Sequence, residues 1–135
     1  LVKVIRNLTK PVLGICLGMQ LLYEASAESD LPCLGIVPGK IHRLPAKSGY
    51  SIPHMGWNNL IFSSKTSAVD KQYVYFVHSY AAPVTEHTIA ITHYTEPFTS
   101  IVQYRNFTGM QFHPERSGIL GENLLMRFLT SIDIL

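Results

Sequence analysis

At 135 residues the chain is the size of one domain and long enough to bury a single core. Hydrophobic residues make up 47% and charged residues 15%, which excludes a disordered or highly charged segment and fits a compact domain with much buried sheet. The net charge is +2, and Lys and Arg are scattered from Lys3 to Arg127 without a basic run, so the charge pattern argues against a nucleic-acid ligand. Two cysteines, Cys16 and Cys33, make no disulfide framework and predict reduced thiols in the cytoplasm. No apolar stretch approaches the roughly 20 residues that span a bilayer, and the opening "LVKVIRNLTK" lacks the apolar core of a signal peptide.

That opening reads as the last turns of a helix, so the chain is expected to lack an upstream segment. "PVLGICL" follows with the pattern of a short strand buried on both faces of a parallel sheet. From Gly18, "GMQLLYEASAES" places Met19, Leu22, Tyr23 and Ser26 at helical spacing, and the cluster Ser29 to Pro32 should stop that helix. "GIVPGKIHRLP" and "SIPHMGWNNLIF" read as short strands joined by turns. "YVYFVHSYAAP", "HTIAITHYT" and "TSIVQYRNFTGMQFHPE" are further strands, with a turn at Arg105-Asn106. An amphipathic helix from about Gly121 to Thr130 closes the chain, with Leu124, Leu125, Phe128 and Leu129 on one face. The order predicts a single α/β domain over 1–135 whose first β-α units lie before residue 1.

Gly14-Ile15-Cys16-Leu17-Gly18 has the form of a nucleophile elbow. Such an elbow turns sharply from strand to helix and exposes one side chain, and small neighbours two positions away let the backbone pass. Cys16 would then sit at a helix N-terminus, where backbone N–H groups favour the thiolate. From these five residues alone, a buried structural cysteine is an equal alternative. Cys33, in "LPCLG", has no such frame and reads as structural.

A thiol nucleophile needs a base, and the base needs a group to orient it. His113 and Glu115 flank Pro114 in "GMQFHPERSG", 97 residues beyond Cys16. Proline holds its predecessor extended, and side chains two apart on an extended segment point the same way. The tripeptide alone could be a surface turn. Together with the elbow it suggests a Cys-His-Glu triad. His42, His54, His87 and His93 show no metal-ligand spacing, and no metal is expected.

At these residues the sequence resembles the class I, or triad, glutamine amidotransferases. "PHMGWNNL", "YFVHSY" and "GMQFHPERSG", taken with the elbow, resemble the glutaminase subunits of imidazole glycerol phosphate synthases in histidine biosynthesis. The resemblance runs from Pro11 to about Leu129. It implies the flavodoxin-like α/β sheet of that family, flanked by helices. It also implies that Cys16 attacks the side-chain amide of glutamine, that His113 shuttles protons and that Glu115 holds His113. The N–H of Leu17, beside Gly18, would be an oxyanion donor. Gln20 and the backbone of His78, Ser79 and Tyr80 match positions that hold glutamine. Met55, Trp57 and Asn58 match the surface that meets a (β/α)₈-barrel cyclase subunit, to which ammonia is channelled. No cofactor is implied.

The family's opening segment, with a glycine-rich loop that completes the oxyanion hole, has no counterpart here. The resemblance therefore implies an enzyme, with this chain expected to have weak or no activity by itself, since loss of one oxyanion donor costs about 10²–10³ in rate. Two other readings share these residues: a paralogous subunit feeding ammonia to another synthase, such as one that amidinates a surface sugar, and a catalytically silent module that binds a barrel partner.

Overall fold

The structure, a computed structural model, describes residues 1–64 and 72–130. The first part of the chain forms helix α1 (Val2–Arg6), strand β1 (Val12–Ile15), helix α2 (Leu17–Leu21) and strands β2 (Tyr23–Ser26), β3 (Ser29–Pro32) and β4 (Val37–Arg43). The middle forms β5 (His54–Phe62), β6 (Gln72–His78), β7 (Tyr80–Ala81) and β8 (Thr88–His93). The last part forms β9 (Pro97–Tyr104), β10 (Phe107–Met110), a 3₁₀ turn (Pro114–Arg116) and helix α3 (Gly118–Leu129).

Six strands make the main sheet in the order β1-β10-β9-β8-β5-β6, and β3-β2-β4-β7 make a second, smaller one. The expected α/β architecture is present, yet in the main sheet only β1 and β10 run parallel, and the other pairs are antiparallel. The turn at Arg105-Asn106 joins β9 to β10 where the sequence placed it, with Arg105 at φ 55°.

Three expectations need correction. The helix after the elbow stops at Leu21 instead of running to Ser29. The carbonyls of Leu21, Leu22 and Tyr23 accept hydrogen bonds from the amides of Leu34 to Val37, so pairing with the segment that leads into β4 overrides local helical preference. Strand β1 is half-buried rather than buried on both faces, because it stands at the edge of the sheet with β10 as its one partner among the described residues. Helix α3 begins at Gly118 and turns Leu124 into the core while Leu129 is exposed.

Strand β9 is buried from Phe98 to Val102 and separates two cores. One gathers Leu60, Val74, Phe76, Phe98, Ile101, Met110, Phe112 and Leu124. The other gathers Met19, Leu22, Tyr23, Val37, Ile41, Val102 and Phe107. Phe76 meets Phe98 and Phe112 edge to face, at centroid distances of 5.6 and 5.9 Å. Among the described residues, no helix is long and apolar enough to cross a membrane.

Helix α3 crosses the chain just after His113 at very short range. A Cβ on Gly121 would lie 2.0 Å from the Pro114 carbonyl oxygen and 2.8 Å from Ser117 Cβ. Gly121→Ala should therefore cost roughly 1–3 kcal/mol of stability, as overpacking does. Equilibrium urea unfolding measures this, and an unchanged midpoint would show that α3 does not clamp the turn.

Candidate active site

Cys16 lies between β1 and α2 with φ 54° and ψ −108°, a conformation that a non-glycine residue adopts only under constraint. Its N–H donates to the Met110 carbonyl at 2.8 Å, which ties the elbow to the end of β10. Glycine lets the helix sit this close to the sheet. A Cβ on Gly14 would lie 2.6 Å from the Gly18 carbonyl oxygen, and one on Gly109 would lie 2.6 Å from Met19 Cγ. Gly14 and Gly109 are register partners across the β1–β10 pair, so together they form the floor on which α2 rests.

Gly18 does not share this role. A Cβ there would meet nothing within 4 Å, and its φ is not in the positive range. The expectation that both flanking glycines ease the backbone holds for Gly14 and fails for Gly18, where a side chain would meet open space. Leu17 is exposed next to it.

His113 is held against β6, the strand that also takes the Cys16 thiol. Its N–H donates to the Tyr75 carbonyl at 2.9 Å, and the Cys16 Sγ–H donates to the Val77 carbonyl at 3.8 Å. Tyr75 and Val77 are two residues apart on β6, about 7 Å along the strand. His113 itself is extended, as proline predicts, but Pro114–Arg116 form a 3₁₀ turn. Across that turn His113 Nδ1 meets Glu115 Oε1 at 2.6 Å. With the carboxylate as acceptor, Nδ1 carries the proton and Nε2 is left as the basic nitrogen.

Ser117, missed in the sequence, fixes this turn. Its hydroxyl donates to the His113 carbonyl at 2.6 Å and accepts from the Tyr75 N–H at 3.0 Å. The signal was a serine just ahead of the last helix, in the place of a cap. It caps nothing and instead pins the turn to β6.

Burial pushes the Cys16 thiol above its ordinary pKa, and the Glu115 carboxylate adds to that rise. The Leu17 N–H and the Gln111 side chain oppose it. The expected preference for thiolate is thus reversed at rest, because burial outweighs the bonds from the Leu17 N–H and the Gln111 amide. A base is needed to take the proton.

Gln20 is buried, and its Nε2 donates to the Tyr80 carbonyl at 2.9 Å and to Gln111 Oε1 at 3.0 Å. The Ser79 carbonyl accepts from the Leu44 N–H at 2.9 Å. The His78 ring is buried, with Nδ1 donating to the Tyr80 carbonyl at 2.8 Å and Nε2 facing His54 Nδ1 at 2.9 Å. His54, within "PHMGWNNL", is buried, its ring stacked on Phe76 and Tyr94. Of the other histidines, His42 pairs with Glu96, and His87 lies 3.5 Å from Glu86. Among the described residues no group of three or more His, Cys, Asp or Glu could hold a metal ion.

Alternation along β5 divides the predicted partner residues. Met55 and Trp57 are exposed, at 62% and 56%, on the face they share with Tyr73, Tyr75 and Val77. Asn58 faces the other way, donating to the His93 carbonyl at 3.0 Å and to His54 Nε2 at 3.2 Å. It is half-buried on the opposite face of β5, and strand alternation in "HMGWN" carried that signal. Tyr75 extends the exposed face: Trp57 meets it edge-on at 6.0 Å, and the Arg116 guanidinium lies 4.5 Å from its ring centroid.

The family description "Glutamine amidotransferase class-I" matches residues 1–132. The chain belongs to the class I glutamine amidotransferase family. It is an amidotransferase of the glutaminase type. It is 51% identical over 135 residues to "Imidazole glycerol phosphate synthase subunit HisH 2" of Legionella pneumophila (strain Lens), covering 96% of this chain and 67% of that protein. To the HisH subunit of Idiomarina loihiensis it is 53% identical over 131 residues, covering 96% and 66%. The chain thus spans about two thirds of the length of these relatives. Among solved structures, one glutamine amidotransferase superposes with a TM-score of 0.64 at 14% identity, over 97% of this chain and 66% of that one. A glutamine amidotransferase of Thermotoga maritima gives 0.57 at 20% identity, over 98% and 55%. These two likenesses show the fold.

Two outcomes follow from the site's strain and burial. Gly14→Ala should destabilise the fold by about 1–3 kcal/mol, while Gly18→Ala should be neutral or stabilising by up to about 1 kcal/mol as a helix substitution. Parallel denaturant titrations compare them, and equal losses would refute the asymmetry. The second outcome concerns pH. Burial holds His54 down at about 3 and His78 at about 4, with His78 adding to the depression of His54. In the folded chain both stay neutral where the unfolded chain, with histidine near 6.5, takes up protons. Their contribution is therefore present above about 6.5 and is lost as the pH falls towards 4. Stability measured from pH 7 to about 4.5 should show uptake of nearly two protons on unfolding, and one fewer in His78→Gln.

Proposed function

We propose that this domain hydrolyses glutamine to glutamate and ammonia through Cys16, His113 and Glu115, and passes the ammonia to a cyclase subunit that makes imidazole glycerol phosphate. The observation that carries the reading is the strained, positive-φ Cys16 at a strand-to-helix turn, fixed to the strand that leads into the His113–Glu115 pair. The names of the relatives, all subunits of imidazole glycerol phosphate synthase, support the choice of acceptor.

In this mechanism His113 Nε2 accepts the thiol proton as Cys16 Sγ bonds to the amide carbon of glutamine. The Leu17 N–H, beside the sulfur, faces the oxygen that gains charge. His113 returns its proton to the departing nitrogen, which leaves as ammonia, and a γ-glutamyl thioester remains on Cys16. His113 then takes a proton from water, the resulting hydroxide adds to the thioester carbon, and glutamate departs as the thiol is reprotonated. Glu115 keeps the ring in the tautomer that both steps need.

The partner surface is the exposed face of β5 and β6. Met55, Trp57, Tyr73 and Tyr75 present apolar and aromatic area with a guanidinium at its margin, the composition of an interface core. This face runs up to Val77, whose carbonyl holds the thiol, so a barrel docked there would cover the site of ammonia release.

Treatment with an electrophilic glutamine analogue, followed by intact-mass and peptide mapping, tests the chemistry. Cys16 should be labelled alone and protected by glutamine, and labelling of Cys16 and Cys33 alike without protection would overturn the proposal. With the cyclase subunit present, Cys16→Ala should reduce glutamate release to background and Glu115→Gln should lower kcat by roughly 10²–10⁴. Trp57→Ala should weaken association with the cyclase roughly tenfold or more, read by calorimetric titration.

A further inference from the structure

A chain of buried hydrogen bonds runs beneath the elbow and ends on the sulfur. The Tyr80 carbonyl can only accept, and it receives both Gln20 Nε2 and His78 Nδ1. This one group sets the polarity of everything attached to it. On one side, His78 Nε2 must accept from His54 Nδ1, which leaves His54 Nε2 to accept from the Asn58 amide. On the other, Gln20 must turn its nitrogen inward, so Gln111 must offer it Oε1. The orientation of Gln111 is then fixed, and its Nε2 faces Cys16 Sγ at 3.8 Å.

Gln111 is fully buried, and its own N–H donates to the Ser100 carbonyl at 2.9 Å, so neither its backbone nor its amide is free to turn. The geometry points to Gln111 as a positioning residue for the nucleophile: its amide, aimed by Gln20 and the Tyr80 carbonyl, holds the Cys16 sulfur in place and stabilises it once the proton has left.

The two bonds at the sulfur explain why this matters. In the neutral thiol, S–H donates to the Val77 carbonyl while Gln111 donates to the sulfur. Ionisation abolishes the first bond and leaves a carbonyl oxygen facing negative charge. The second bond strengthens, since its acceptor is now charged. Glu115 also faces the thiol with unfavourable charge. Among the side chains facing the sulfur, Gln111 is the donor that favours the thiolate, and His113 supplies the base. The inference rests on Cys16 being the nucleophile, but its test does not depend on that.

The rate of iodoacetamide modification, measured from about pH 6 to 10 across the ordinary thiol range and resolved by peptide mapping, gives separate midpoints for Cys16 and Cys33. Gln111→Met keeps the volume and removes the donor. It should raise the Cys16 midpoint by roughly one pH unit, the scale of one hydrogen bond to a charged group, and leave that of Cys33 unmoved. Gln20→Leu leaves the amide of Gln111 in place but unaimed, and should give a smaller rise. That second variant carries the test if Gln111→Met fails to fold. Unmoved Cys16 midpoints in a folded variant overturn the inference, even where glutamine still protects Cys16 and the glutaminase reading stands. Conversely, a raised midpoint with no protection by glutamine in the wild type supports the positioning role and removes the glutaminase reading.

Discussion

The site depends on how closely α2 approaches the sheet. Gly14 and Gly109 lie side by side in register, and neither leaves room for a Cβ between sheet and helix. With side chains there, Met19 and the Gly18 backbone would have to lift, and Cys16 would no longer be forced into positive φ. A residue in that conformation costs of order 1–3 kcal/mol, and surrounding structure must hold it there. Here the restraint comes from both ends: the Cys16 N–H is tied to Met110, and its carbonyl accepts from the Gln20 N–H at 3.3 Å.

The second half of the site uses the same device in another place. Gly121 lets α3 press on the Pro114 carbonyl, and Ser117 ties His113 to β6 from below. Nucleophile and base therefore hang from one strand, through the carbonyls of Val77 and Tyr75. Relative placement of the two groups is set by the pitch of β6. Movement of β6, whose outer face carries Tyr73, Tyr75 and Val77, would move both attachments together.

Much of this was legible because the residues that perform chemistry sit in short local patterns. The elbow and the His-Pro-Glu turn were both readable, since a proline before Glu115 and a glycine two before Cys16 constrain the backbone where they stand. The strands from β4 to β10 followed from β-branched and aromatic runs. What failed was whatever depends on distant partners. The helix after the elbow had good periodicity and lost its last turns to pairing with Leu34–Val37, the segment that leads into β4. Asn58 was grouped with Met55 and Trp57 because all three fall in one motif, although period-two alternation places it on the opposite face. Gln111, Gly109 and Ser117 lay inside the most informative segment and were passed over, because their roles appear only when β10 is laid beside β1 and the turn that follows it is laid against β6.

The buried histidines show why polar groups were placed in a core that could have been apolar. His54 stacks on Phe76 and Tyr94, His78 meets Phe98 edge to face, and both occupy positions that aromatic carbocycles could fill. Replacing both by phenylalanine would leave the Tyr80 carbonyl with Gln20 as its side-chain donor and Asn58 without its ring acceptor. The cost of keeping them is sensitivity to acid, since neither ring can be protonated without disrupting the chain of donors. What they secure lies on their own side of the Tyr80 carbonyl: His78 is its second side-chain donor, and His54 passes that polarity on to the Asn58 amide. A core of hydrocarbons would pack as well but would strand the Asn58 amide, while Gln20 and Gln111 would still take their direction from the Tyr80 carbonyl.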